Sequence, residues 1–508
     1  MTRICREPSR SASQTYDLII VGGGIYGVML SFEASCRGLR SLLLEREDFG
    51  GATSYNSLRI IHGGFRYLQT LNLRRFFESV RERRWFLQTF PELVKPLPCL
   101  MPLYDRGMRH SQVLSAALRL NDVLSYNRNC NLRSDCHLPG GEILTAEQVK
   151  QCFPLVDSQG LQGGAVWHDA SMPDSQRLLI TLLRWSCALG GVVLNYVEAQ
   201  ELLKTQRGIA GILAKDLVRG EFYEYKANVI VNAAGPWCRE LAAYCDRDLP
   251  ALFRSSLAWN VLFDRKALSD FALAVAPKKR GAKTYFLHPW KGRLLAGTVH
   301  TPWPDPITYH PQPAADQIAN FIEELNESIP ELSLSQDEVL WIFSGLLPVT
   351  QSGSTKLSVR EVILDHGKQG GCPGLYSVSG VKFTTSRLVA QKTIERILPA
   401  ARKSTNLKSQ PWVPPEEVQS RQGIFAYDWL PKQDDSTWKL ELRKIIAEES
   451  VQHLDDLIFR RTSIGDNPNR ALASAPLICQ LFDWDDRRCH QEVSRLEKFK
   501  VFRLIAKP

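Results

Sequence analysis

The chain has 508 residues, 44% hydrophobic and 23% charged, with a formal net charge of +9 at neutral pH. That length argues for roughly two to four domains, and no apolar run reaches the ~18 residues of a spanning helix. The twelve cysteines show no metal-ligand spacing and a chain of this length needs no disulfide framework, so free thiols and no metal are expected. The positive balance favours anionic ligands or surfaces, but without zinc-finger spacing or an RNA-binding aromatic motif nucleic acid is not an expected partner.

Residues 1–15 are polar, carry Arg3, Arg6 and Arg10 and lack the apolar core of a secretory signal. They read as a flexible tail, with an organelle-targeting segment as the alternative. Tyr16 to Val21 is a short apolar run that ends at glycines, as a buried parallel strand does. Tyr26 to Arg37 has helical spacing and Gly38 can end that helix. Ser41 to Leu44 returns to strand, which completes a βαβ unit.

Further along, Leu71 to Phe90 predicts a helix made basic by Arg74, Arg75, Arg81, Arg83 and Arg84. Leu178 to Leu189 predicts another, leading into a strand at Val192 to Val197. Segments at 201–204, 209–214 and 222–225 suggest a small antiparallel meander turning at Gly208 and Gly220, and Val229 to Asn232 a buried strand. Residues 251–345 mix strand patterns with one helix near Ala314 to Ser328. The prolines among polar residues at 399–416 mark a linker. Beyond it, Leu442, Ile445, Ile446, Leu454, Leu457 and Ile458 form one apolar stripe, and Asp483 with Asp486 offers an N-terminal cap for a last helix.

Gly22-Gly23-Gly24-Ile25-Tyr26-Gly27 fits Gly-x-Gly-x-x-Gly. Gly22 permits the tight turn, Gly24 lets backbone approach a pyrophosphate, and Gly27 lets the helix pack on the strand. The helix start offers free N–H groups and a positive dipole end to phosphates. Glu45 closes the second strand about 20 residues past Gly24, where a carboxylate accepts hydrogen bonds from ribose hydroxyls. A dinucleotide site follows, but the motif does not separate FAD from NAD. The small-residue loop Gly51 to Ser57 and the pair Gly63-Gly64 let backbone lie against a large flat ligand.

The stretches YDLIIVGGGIYG from Tyr16, ATS at Ala52 to Ser54, IHGGFRYL at Ile61 to Leu68, VNAAGPW at Val231 to Trp237, HPW at His288 to Trp290, SGVKFTTSR at Ser379 to Arg387 and FRRTSIG at Phe459 to Gly465 carry a resemblance. Together they make the chain similar to the D-amino-acid-oxidase-like flavoproteins, and within them to the FAD-dependent (aerobic) glycerol-3-phosphate dehydrogenases, over about residues 16–500. The resemblance implies an α/β fold: a Rossmann-type FAD-binding domain built from residues of about 16–100, 160–250 and 345–398, a mixed-sheet substrate domain of about 101–159 and 251–344, and, after the linker, a C-terminal helical domain over 417–508. It implies that Gly22, Gly24 and Gly27 meet the pyrophosphate and Glu45, with Arg46 beside it, the ribose. Thr53, Ser54, His62 and Gly63 then lie near the pyrophosphate and isoalloxazine, Val197 holds the adenine through its backbone, and Gly235, Gly380, Lys382, Phe383 and Thr384 line the flavin ring.

The chemistry the resemblance implies is alcohol oxidation: a hydride goes to flavin N5 and a base takes the hydroxyl proton. Arg66, Arg360 and Lys382 stand where the family places substrate-pocket cations. Four positions depart from the family pattern. Leu347 replaces an arginine that clamps phosphate, Leu257 and Asn260 replace a lysine and a histidine that is a candidate base, and His300 replaces an aspartate. His300, with an unperturbed pKa near neutrality, is an alternative base; a packing histidine is the other reading.

Three functions stay open. The first is a dehydrogenase of glycerol 3-phosphate or a related small molecule that passes electrons to a quinone, which the absence of a second Gly-x-Gly-x-x-Gly fits. The second is an oxidase or dehydrogenase of a 2-hydroxy acid or amine, with Arg360 on the carboxylate. The third is a flavin-binding protein without turnover. A cytoplasmic location is expected. The basic helix and the tail Lys498 to Arg503 suggest peripheral contact with the inner face of the cytoplasmic membrane, and a solvated helix is the alternative. A homodimer is left open.

Overall fold

The computed structural model describes the chain except residues 1–2, 105–109, 244–253, 280, 304–305, 352, 359, 402–427, 433, 435 and 502–508. The described residues form three sheets. The first runs in the order Val362–Asp365, Leu375–Ser379, Ile230–Asn232, Leu18–Val21, Ser41–Leu44, Val192–Leu194. All neighbours are parallel except the edge strand Val362–Asp365. Its central strands are apolar without a break because both faces are covered. Leu18 and Ile20 face the helices Ile25–Cys36, Ser175–Ala188 and Ser386–Ala401. Ile19 and Val21 face a four-stranded sheet, in the order Thr15–Tyr16, Phe222–Ala227, Gly208–Asp216, Val197–Thr205. The α/β Rossmann-type layout follows.

The third sheet is large and mixed. Its strand Arg254–Lys266 pairs antiparallel with Arg293–Pro302 on one side and Val339–Val349 on the other. Leu257, Trp259, Val261 and Phe263 turn into a core shared with the helix Ala315–Ser328. Ala258 and Asn260, on the opposite face, turn toward the cavity described below. Two strands of this sheet, Gly163–Ser171 and most of Lys95–Leu103, fall inside the stretches assigned from sequence to the cofactor domain. Pro96, Pro98 and Pro102 disguise the second of them. All three sit at alternate positions, so their missing N–H groups face one edge and the other edge can still be paired.

The reading of residues 1–15 as a flexible tail is corrected. Ile4 bridges to Glu449 and is buried, and Pro8–Ala12 is helical. The Arg6 guanidinium pairs with Asp216, and its Nε donates to the Asn195 carbonyl at 2.9 Å. A polar segment is ordered here because its partners are buried groups far along the chain. The linker lies outside the described residues apart from 399–401, which end the helix Ser386–Ala401.

The C-terminal unit holds the helices Thr437–Glu448, Pro468–Cys479 and Asp486–Val501. Its apolar stripe is split: the first helix ends at Glu448, Ser450 is left-handed (φ 53°), and Asp456–Arg461 forms a π-helical turn. The last helix is capped by Asp485, whose Oδ1 accepts from Arg488 N–H at 2.7 Å, and not by Asp483 or Asp486.

Glu449, fully buried, takes both Arg177 Nη atoms and Arg184 Nη1, each at 2.8 Å. Burial pushes the Glu449 carboxyl up, but Arg177, Arg461 and Arg184 outweigh it and bring it down to about 2. A carboxylate depressed in this way stabilises the fold above its ordinary pKa and ceases to as pH falls through the folded value. The C-terminal unit is therefore expected to come loose between about pH 4.5 and 2, followed by tryptophan fluorescence. Arg184→Met, which leaves Glu449 short of a partner, should cost about 3–5 kcal/mol in a denaturant titration.

Candidate active site

A cavity of about 430 Å³ opens where the first sheet meets the third. Its floor is the glycine loop. Gly22 has φ 105° and its N–H donates to Leu44 O at 2.8 Å, the turn that only glycine makes without strain. A Cβ on Gly27 would collide with the Gly22 carbonyl oxygen, so the helix can approach the loop only with glycine there. Gly24 starts the helix Ile25–Cys36 with no side-chain cap. The Ile25 N–H donates to Ser54 Oγ at 2.9 Å.

Glu45 stands beside the loop. Gly23 N–H donates to its Oε2 at 2.6 Å and Glu47 N–H to its Oε1 at 2.9 Å. Burial raises its pKa, against these two hydrogen bonds. Each carboxylate oxygen keeps a lone pair for a further donor. Arg46 lies 4.1 Å over the Trp237 ring and 5.6 Å from the Tyr309 ring, and all three line the cavity. Val197 lines it too, and its N–H donates to Glu45 O at 2.8 Å.

On the far wall, Gly380, Lys382 and Phe383 line the cavity with Gly235, Thr53 and Leu347. Tyr26 Oη fixes this turn: it donates to Lys382 O at 3.1 Å and accepts from Lys382 N–H at 3.2 Å. Any Cβ on Gly380 would strike that Tyr26 side chain. Lys382 Nζ lies 4.0 Å from the Tyr67 ring centre. Burial, with Arg66 nearby, lowers the Lys382 pKa to about 8. His300 stands across from Ala258 in the sheet. Burial, Lys283 and Arg66 lower its pKa to about 4, so it is neutral at pH 7, and its Nδ1 is buried without a partner.

Several residues expected from sequence, Arg66 and His300 among them, stand outside the cavity wall. Gly27 lies beneath the loop, as its packing role requires. Gly63 N–H donates to Asp169 Oδ1 at 2.6 Å, and a Cβ there would meet the Arg83 guanidinium, so this glycine serves packing. His62 Nδ1 lies 3.2 Å from Asp169 Oδ2, with the side chain 52% exposed. Thr384 is buried behind Phe383. Arg360 is exposed. Asn260 is fully engaged: its Nδ2 donates to Asn56 O at 3.0 Å and its Oδ1 accepts from Thr298 at 2.7 Å. Sequence reasoning missed Tyr26, Asn56, Tyr67, Lys283 and Tyr309. Of these Tyr26 and Tyr67 sit inside quoted motifs and Asn56 in the small-residue loop, and nothing in one sequence marks Lys283 and Tyr309.

A strand–glycine turn–helix with an uncapped helix start, a carboxylate beside it and small residues lining a long cavity suits a dinucleotide. Residues 17–396 match the family model described as DAO, FAD dependent oxidoreductase. The chain is 30% identical over 406 residues to a glycerol-3-phosphate dehydrogenase of Synechocystis sp., covering 77% of this chain and 71% of that one. It is 31% identical over 440 residues to a mitochondrial glycerol-3-phosphate dehydrogenase of Arabidopsis thaliana, covering 83% and 66%. The crystal structure of a glycerol-3-phosphate dehydrogenase from Bacillus halodurans complexed with FAD superposes with a TM-score of 0.70 at 17% identity, over 98% of this chain and 97% of that one. The fold and site are those of an FAD-dependent oxidoreductase. The chain belongs to the DAO family of these enzymes, and FAD is its cofactor.

Two glycines separate folding from cofactor binding. A Cβ at Gly24 meets only Ser54 Oγ, at 3.2 Å, so Gly24→Ala should fold and yet lose FAD, read as a lowered flavin-to-protein absorbance ratio. Gly27→Ala should depress the melting temperature of the apoprotein itself.

Proposed function

We propose that this enzyme oxidises the hydroxyl-bearing carbon of glycerol 3-phosphate or a closely related phosphorylated alcohol, and that the electrons pass to a quinone. One observation carries the reading. Lys382, Arg66 and Lys283 gather around His300 and Tyr67 beside the Phe383 wall, and among the described residues none of the three pairs with a carboxylate. Of the three only Lys382 lines the cavity, with Arg66 and Lys283 outside its wall; cations left uncompensated there await an anion, and a phosphate monoester supplies two charges. Bound FAD supplies the hydride acceptor. Arg66, Lys283 and Lys382 hold the anionic end of the substrate and exclude its approach by any other orientation. His300, neutral and with a free Nδ1, is the group able to take the hydroxyl proton. An incoming dianion raises its pKa and so strengthens it as a base. Asn260 orients Asn56 and Thr298 and moves no proton.

A 2-hydroxy acid or amine is the second reading, favoured by the apolar Leu347 in the wall where a phosphate-clamping arginine is expected. Arg360, its expected carboxylate partner, stands outside that wall.

For the acceptor, the absence of a second Gly-x-Gly-x-x-Gly supports a quinone over NAD(P). No described helix is long and apolar enough to cross a membrane. The basic helix, Leu73–Thr89, buries Phe76, Val80, Glu82, Arg83 and Phe86 and leaves Leu73 and Phe77 exposed next to Arg74, with Leu71 just before it. That mixture supports peripheral contact with anionic lipid. Retention of the protein on phosphatidylserine vesicles at low salt, weakened by Phe77→Glu, is the expected result, and equal partition of both proteins into the soluble fraction would refute the contact.

Flavin bleaching under anaerobic conditions tests the substrate. Glycerol 3-phosphate should reduce the flavin and glycerol should not, whereas equal reduction by both, or by lactate alone, would sink the proposal. Lys382→Met should raise KM about 10- to 100-fold, the loss of one charged hydrogen bond. Because Lys382 must be protonated to hold an anion, kcat/KM should fall as pH rises through about 8, and that inflection should vanish in Lys382→Met.

A further inference from the structure

The loop at residues 45–54 lines the cavity with Glu45, Arg46 and Gly50 to Ser54. Asp48 lies at its middle and faces away from the cavity with none of its surface exposed. Arg461 grips it with two bonds of 2.7 Å, Nη1 to Oδ2 and Nη2 to Oδ1, and Arg460 Nε reaches Oδ2 at 2.8 Å. Both arginines belong to the C-terminal unit, beyond the residues matched by the family model. A second tie runs in parallel. Ser450 Oγ donates to Asn195 Oδ1 at 2.7 Å, and Tyr196 Oη donates to Asp456 Oδ1 at 2.7 Å. From the same segment, Tyr196 N–H and Val197 N–H donate to the carbonyls of Glu47 and Glu45 at 3.0 and 2.8 Å. On the cavity side, Gly50 N–H donates to Gly23 O at 2.9 Å and Gly51 N–H to Asp48 O at 3.2 Å.

We infer that the C-terminal unit is part of the cofactor-binding machinery, with Arg461 and Arg460 as positioning residues that act on FAD through Asp48. The loop carries the ribose carboxylate and the small residues beside the glycine turn, and its Asp48 carboxylate is held by the two guanidiniums and by Asn195 Nδ2 at 2.8 Å. A loop whose central carboxylate lacks them must expose it to water or pair it otherwise, and either moves the cavity wall. The coupling is reciprocal: whatever the C-terminal unit contributes to FAD affinity, FAD returns as stability of that unit. This holds for any substrate.

The test uses the full chain, stripped of FAD and titrated with it. Arg461→Lys keeps the charge and loses the bidentate geometry, and should weaken FAD binding about tenfold. Arg461→Met should weaken it further, and Asp48→Asn/Arg461→Met should be no worse than the Met variant alone. If Arg461→Lys lowers apoprotein and holoprotein melting temperatures equally and leaves FAD affinity unchanged, the arginine is structural only and the inference falls. In the unmutated protein, FAD should slow amide hydrogen exchange at 455–466, and exchange there indifferent to FAD would overturn it even if no variant folds.

Discussion

Backbone resting on backbone at the glycine turn is the contact from which the rest of the site takes its position. The helix Ile25–Cys36 sits on the Gly22 carbonyl because residue 27 has no side chain. Gly23 then binds the neighbouring loop at two places, its N–H on the Glu45 carboxylate and its carbonyl under the Gly50 N–H. With no rotatable side chain on the glycine side of these contacts, the separation between helix start and carboxylate is set by main-chain geometry. A diphosphate joined to a ribose has a fixed span, and a site built this way pays little ordering entropy to match it.

Charge is handled in two ways in this molecule, and the difference marks what each group is for. At the C-terminal unit and its contact with the rest of the chain, buried carboxylates are held by guanidiniums: Glu449 takes Arg177 and Arg184, Asp455 takes Arg460 and Arg495, and Asp48 takes Arg460 and Arg461. Burial pushes Asp455 up, but Arg460 and Arg495 bring it down to about 2. Such pairing is what desolvated ions need to remain ionised inside a fold. At the Phe383 wall the opposite holds. Lys382 is partly buried among like charges and its pKa falls instead. An arrangement that costs stability persists where a ligand supplies the missing charge.

Much of this was readable in one sequence, and the reasons for the failures are physical. Four strands of the first sheet, at 18–21, 41–44, 192–194 and 230–232, were legible because they are short and mainly apolar, and the glycine turn because each residue in it answers a steric demand. Arg6 and Asp48 were not legible, because their partners lie far along the chain at Asp216 and Arg461, and nothing local distinguishes a paired ion from a solvated one. Lys95–Leu103 was hidden by three prolines that a strand tolerates only in one register. Gly63 and Thr384 follow motifs of the family yet face away from the cavity, since a motif preserves packing as well as contact with a ligand.

The departures from the family pattern do not weigh equally once placed. Leu257 points into the core shared with the helix Ala315–Ser328, so a lysine there would not reach the cavity from this face of the strand, and its absence subtracts nothing from the site. Leu347 and Asn260 do line the cavity. Asn260 spends both ends of its amide on Thr298 and Asn56, a clamp across the sheet that a histidine could not make with the same pair of partners. On the reading proposed for this enzyme, proton transfer has moved off this strand to His300 one strand over, and anion binding rests on Lys382, Arg66 and Lys283 around it.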